Sequence, residues 1–149
     1  MHVLELALCA ISCLLIGATL FGLDVQGAQN LTVVTTAETL AAVGAAVTLP
    51  SNTGKAAIFA WLQLNVSAGT TGVTLKLYRG PVIGGTLVNT MTLGTASFTA
   101  GQPAVFTMSF TDVLSSVSAA QYCISVTCTG ASGNSTVVSS TLRTMVLSG

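Results

Sequence analysis

From Asn30 to Leu147 the sequence is cut into short runs that alternate apolar and polar side chains, and that period of two excludes most folds at once. The clearest run is Ala56 to Val66. Ile58, Ala60, Leu62, Leu64 and Val66 fall on one side, and Phe59, Trp61, Gln63 and Asn65 on the other. Gly72 to Tyr78 repeats the pattern, with Val73, Leu75 and Leu77 inward and Thr74, Lys76 and Tyr78 outward. Ala104 to Thr111 sets Phe106, Met108 and Phe110 against Val105, Thr107 and Ser109. Asn30–Thr36, Val82–Thr92, Gln121–Cys128 and Ser135–Leu147 complete a set of about seven or eight strands. Gly84-Gly85 reads as a hairpin turn inside Val82–Thr92. Ala37 to Pro50 has the composition of a short helix, but its flanking threonines and Gly44 favour a strand or loop. Turn sequences such as SAGTTG, RGP, TAGQP and TGASGN separate the runs, and no amphipathic helix of a dozen residues lies between them. A parallel α/β sheet is thereby excluded, and the expected fold is an all-β sandwich of Greek-key or jelly-roll type.

The first 24 residues follow a different rule. VLELALCAISCLLIGATLFGL, residues 3–23, has no charged side chain from Leu6 to Leu23 and is bracketed by Glu5 and Asp24. As a helix those residues would cover about 27 Å, against roughly 30 Å for the apolar core of a bilayer. The expected organisation is a hydrophobic helix over 1–24, a linker over 25–30 and a β-sandwich domain over 31–149. A cleaved secretory signal fits poorly, because the start lacks Lys and Arg and the apolar run is long, although Val25-Gln26-Gly27 would pass as a weak cleavage site. A retained membrane helix is the second reading, and a helix packed against copies of itself is the third. Cys9, Cys13 and Gly17 recur every four residues, with Ala18 and Gly22 as a second small pair, and small residues at that spacing let helix backbones approach closely.

Composition narrows the chemistry. Charged residues are 5% of the chain and the formal net charge is zero, whereas a soluble domain is about one quarter charged. The two Lys and two Arg do not cluster, so binding to nucleic acid through a basic patch is excluded as a reading. The only histidine is His2, and the acids outside the helix flanks are Glu38 and Asp112. No base stands ready for a serine nucleophile, no carboxylate pair is evident, and no catalytic, cofactor-binding or metal site is expected. Asp112 reads as a turn former. Cys123 and Cys128 fall on opposite faces of one strand about 16 Å apart, beyond the Cα separation of about 7 Å that a disulfide allows. Lys76, Tyr78 and Arg79 form a possible surface contact on LKLYRG.

VTTAETLAAVG, SAGTTGVTLKLYRGPVIGGTLV and AAQYCISVTCTGASGNSTVVSSTLRTMV together resemble small jelly-roll-like β-sandwich proteins of bacteriophage virions, over about residues 31 to 147. The most specific stretches are Leu75 to Val88 and Gly133 to Thr136. The resemblance implies a non-enzymatic virion component: a capsid-associated, penton, decoration or spike protein. Its partners would be copies of itself, other virion proteins and a lipid membrane reached by residues 3–23, with no nucleic acid and no small-molecule substrate. MHVLEL is similar to the start of mature type IV pilins. That similarity implies a filament subunit whose helices bundle in the filament core, with Glu5 neutralising a neighbour's terminal amine. Two features depart from the pilin pattern: the leading Met and the early end of the helix near Asp24. A third reading is a membrane-anchored adhesion or carbohydrate-binding module using Trp61 and Tyr78, with core packing the expected role of Trp61.

Overall fold

The computed structural model of the chain describes residues 20–28, 32–34, 36–49, 53–93, 99, 101–116, 118–130 and 135–147. These residues form antiparallel strands and no helix: β1 (Leu20–Ala28), β2 (Thr32–Val34), β3 (Thr39–Val43), β4 (Val47–Thr48), β5 (Thr53–Asn65), β6 (Gly72–Arg79), β7 (Thr86–Leu93), β8 (Pro103–Ser115), β9 (Ala119–Ala120), β10 (Tyr122–Thr129) and β11 (Ser135–Leu147). One sheet runs β1-β11-β5-β8, with β2 continuing the β1 edge along β11. The second runs β3-β10-β6-β7, and β4 pairs with β9. The pairing is nested. β6 meets β7, β5 meets β8, β4 meets β9, β3 meets β10, and β1 with β2 meets β11. A long antiparallel ribbon rolled in this way is a jelly roll, here with a five-stranded and a four-stranded sheet enclosing one core.

The alternation of β5 and β8 builds that core. Ile58, Leu62 and Leu64 of β5 and Phe106, Met108 and Leu114 of β8 are buried. They meet Val73, Leu75 and Leu77 of β6 and Ile124, Val126 and Cys128 of β10 from the other sheet. Each fully buried aliphatic side chain contributes about 1.5–3 kcal/mol relative to exposure. β11 changes phase along its length. Its pairing with β5 slips between Val137 and Ser139, leaving Val138 as an extra residue. The buried positions therefore change from Ser135 and Val137 before the slip to Ser140, Leu142, Thr144 and Val146 after it.

Several expectations change. Leu20–Ala28 is strand β1, which takes in residues 20–24 of the expected helix and residues 25–28 of the expected linker. β11 is paired with β1 from Ser140 to Leu147, so its outer backbone groups gain partners that a linker would not supply. The rest of the hydrophobic segment lies outside the described residues. No helix among the described residues is long and apolar enough to cross a membrane. The turn at Gly84-Gly85 is not a two-residue hairpin inside one run. Residues 80–85 link β6 to β7, Arg79 pairs with Thr86, and the Gly85 amide donates to the Val82 carbonyl at 3.3 Å. Strand β8 does not stop at Thr111 but continues through Asp112 to Ser115.

Candidate functional site

Three side-chain assemblies stand out on this frame, and two of them are built from the few charges the chain has. β6 ends Lys76-Leu77-Tyr78-Arg79, so Lys76 and Tyr78 point to one face of their sheet and Arg79 to the other. The expected Lys76–Tyr78–Arg79 patch is therefore split between two places.

On the outer face of the β3-β10-β6-β7 sheet, Glu38 just before β3 gathers three donors. Lys76 Nζ lies 2.9 Å from Oε2, and Tyr78 Oη and Ser125 Oγ donate to Oε1 at 2.7 and 2.5 Å. The Ser125 hydrogen bond, reinforced by Lys76 and Tyr78, holds the Glu38 carboxyl below its ordinary value against the opposing effect of burial. The hydrogen bond to Glu38 raises Lys76, and burial with the Glu38 contact raises Tyr78. Tyr78 is 7% exposed rather than solvated. Cys123, opposite it on β10, is fully buried, and that burial together with the Glu38 charge pushes its thiol up to about 11. Cys128 lies on the other face and is also a free, buried thiol.

At one end of the core the second carboxylate joins the two sheets. Arg79 Nε and Nη2 donate to Asp112 Oδ2 and Oδ1 at 2.8 and 2.6 Å, and Tyr122 Oη donates to Oδ2 at 2.9 Å. Asp112 occupies an inward position of β8, between Phe110 and Leu114, where a carboxylate persists only with partners. The Asp112 hydrogen bond raises Arg79, and burial, then Asp112, raises Tyr122. These pairs consume Glu38 and Asp112, and no group of three metal-ligating side chains occurs among the described residues.

The third assembly is the outer face of the β1-β11-β5-β8 sheet. An open cavity of about 550 Å³ is lined by Phe59, Trp61, Thr107, Ser109, Thr141 and Arg143, with Ala60 and Met108 at its floor. The strand register explains the grouping. Phe59 sits between Arg143 of β11 and Ser109 of β8, and Trp61 between Thr141 and Thr107. Phe59 is 54% exposed, and Val105 and Val113 of β8 are also exposed. Trp61 is half-buried on this outward face and not part of the core.

Of the other residues singled out from the sequence, Glu5, Cys9, Cys13, Gly17 and Ala18 lie outside the described residues. Gly22 lies in β1 opposite Val146, next to a register shift between Leu20 and Gly22. The sequence reading missed Ser125 and Tyr122 as partners of the carboxylates, and Arg143 beside Phe59. Arg143 was findable once the β11 phase shift is known, because only then does it share a face with Phe59 and Trp61.

No family model and no curated protein sequence matches the chain. Solved structures with a similar fold include a chain of the T13 particle of infectious bursal disease virus (12% identity, 84% of this chain and 34% of that chain, TM-score 0.50). A chain of the Gt strain of the same virus matches at 11% identity over 87% of this chain and 36% of that one, TM-score 0.47. A Bacillus endospore appendage, from a family of disulfide-linked pili, matches at 19% identity over 81% of this chain and 86% of that one, TM-score 0.41. The chain spans about a third of the length of the viral chains. At such identities the likeness to the T13 particle carries the fold: an all-β, antiparallel sandwich of a kind found in a viral particle.

Proposed function

We propose that the chain is a non-enzymatic structural subunit of a virion, as a capsid-associated, penton, decoration or spike component. The observation that carries this reading is the outer edge of β8. Pro103–Ser115 pairs with β5 along its whole length without a slip, and among the described residues no strand pairs with its other side. Monomeric proteins protect such an edge with lysines, bulges or short length. β8 has a proline only at its first position, and its single charge, Asp112, is turned inward and neutralised by Arg79. The neighbouring edge β7, TLVNTMTL, carries no charge either. The unguarded β8 edge, beside an uncharged β7 whose pairing with β6 is bulged at Val88, on a chain of zero net charge, suits lateral packing against copies or other shell proteins. The jelly-roll nesting recurs in capsid proteins, which supports the reading by analogy. Residues 3–19 would supply a second contact, to lipid beneath the shell or to sister segments.

The test is particle composition. Mass spectrometry of purified virions from the host culture should find this chain, and detergent that strips lipid should release it. Virions lacking the chain would refute the proposal.

A second reading is a pilin-like filament subunit. Because β1 begins at Leu20, the uncharged run left before it, Leu6 to Thr19, would cover only about 21 Å as a helix, short of the roughly 30 Å apolar layer, which weighs against a lipid span. The same shortness is a further departure from the long pilin helix. A methylated first residue, read from the N-terminal mass, would support the filament, and an unmethylated Met the virion.

A further inference from the structure

We propose that the outer face of β5, β8 and β11 is a saccharide-binding site selective for a carboxylated sugar. This goes beyond a structural role and stands on separate observations. The cavity of about 550 Å³ is open to solvent and within the size range of small-ligand sites. Phe59 and Trp61 alternate with buried residues along β5, so the rings project from the same face about 7 Å apart. An aromatic pair at that spacing, with Phe59 exposed and Trp61 half-buried, presents flat, polarisable surface on which the C–H face of a sugar ring stacks. Thr107, Ser109 and Thr141 border the rings on both sides and can donate to or accept from sugar hydroxyls.

Charge selects the class of sugar. Of the four cations in the chain, Lys76 and Arg79 are consumed by Glu38 and Asp112. The other two, Lys55 and Arg143, are exposed on this outer face and have no ion-pair partner among the described residues. Arg143 lines the cavity directly across the strand from Phe59. A guanidinium offers a planar fork that matches a carboxylate in two parallel hydrogen bonds, and a neutral sugar leaves that fork unused. Lys55 lies four residues from Phe59 along β5, about 13 Å away, within reach of a second acidic unit of an oligosaccharide.

The single tryptophan of the chain is Trp61, so ligand stacking has a built-in reporter. The full-length chain, held in a zwitterionic detergent without sugar groups, is titrated with a galacturonic-acid trisaccharide and, separately, with galactotriose. A saturable change in tryptophan emission with the acidic trisaccharide is expected, with at least tenfold weaker binding of the neutral one. Arg143→Gln should weaken the acidic ligand about tenfold while leaving the thermal midpoint unchanged. Phe59→Ala, followed by calorimetry, should weaken both sugars. Thr92→Ala on the opposite sheet should change neither. The proposal is overturned by no saturable response, by equal affinity for the two sugars, or by an unaltered affinity in a folded Arg143→Gln variant. It is equally overturned if sedimentation shows a dimer at micromolar concentration in which Trp61 is already shielded and unresponsive.

Discussion

Arg79 and Asp112 tie the two sheets of the sandwich together, the guanidinium of β6 gripping the carboxylate of β8 through contacts of 2.6 and 2.8 Å. The carboxylate is nearly buried, so its fate depends on its partners. Arg79→Met should destabilise the fold by about 3 kcal/mol, because it leaves a buried charge unpaired. Replacing both residues, as Arg79→Met with Asp112→Leu, should recover most of that loss. Urea denaturation of the two variants beside the parent checks both outcomes.

Glu38 makes stability depend on acid. Its folded carboxyl lies below the ordinary value of 4.5, chiefly through the Ser125 hydrogen bond. A depressed carboxylate contributes stability that is present above the unfolded value and lost as pH falls through the folded one. Denaturation midpoints should therefore hold near neutral pH and decline below about pH 4.5. Glu38→Gln should flatten part of that decline, and Ser125→Ala should shift it to higher pH.

Thr144 Oγ1 is buried in β11 with no hydrogen-bond partner among the described residues. An unmet hydroxyl costs about 1–3 kcal/mol, and valine has nearly the same shape. Thr144→Val should raise stability by about 1 kcal/mol, read as a higher denaturation midpoint. A lower midpoint would mean that the hydroxyl has a partner in the folded chain.

Cys123 is fully buried and its thiol is raised to about 11, against an ordinary 9.0. A thiol raised on folding contributes stability that is complete below pH 9.0 and is lost as pH climbs toward 11. Stability should fall across that alkaline window, and Cys123→Ala should reduce the fall. At pH 8 the peptide carrying Cys123 and Cys128 should resist alkylation in the native protein and react after unfolding, as peptide mass mapping would reveal.

The β8 edge predicts an assembly phenotype. Val113 is 65% exposed, so Val113→Lys should change stability by no more than about 0.5 kcal/mol. A lysine there should nonetheless block edge-to-edge pairing. Sedimentation or electron microscopy should then find subunits in place of assemblies.

The strands with strict alternation were legible from sequence alone. β5, β6 and β8 have buried residues at every second position, and a period of two leaves little choice of face. Three things were not legible. Val138 shifts the phase of β11, and no local signal marks a bulge that is specified by its partner strand. Asp112 looked like the end of a strand because its neutralising groups, Arg79 and Tyr122, lie far away in sequence and close only in the fold. Leu20–Ala28 carried the apolar composition of the preceding segment, and the demand that makes it a strand comes from β11 at the opposite end of the chain. The Phe59–Trp61–Arg143 face was only partly legible: alternation put both rings on one side of β5, but Trp61 was expected to pack in the core, and the arginine depended on the β11 register.

The nested pairing also sets the order in which the molecule can form. Only β6 and β7 are partners close in sequence, whereas Leu20 must wait for Leu147. Such distant contacts slow folding, because loop closure must precede any gain from pairing. During synthesis β5 stays without either neighbour until β8 and then β11 have emerged, and its Ile58, Leu62 and Leu64 row is open to wrong partners meanwhile. The β6–β7 hairpin is thus the natural starting point, and β11, made after every strand it pairs with, is the one that closes the larger sheet.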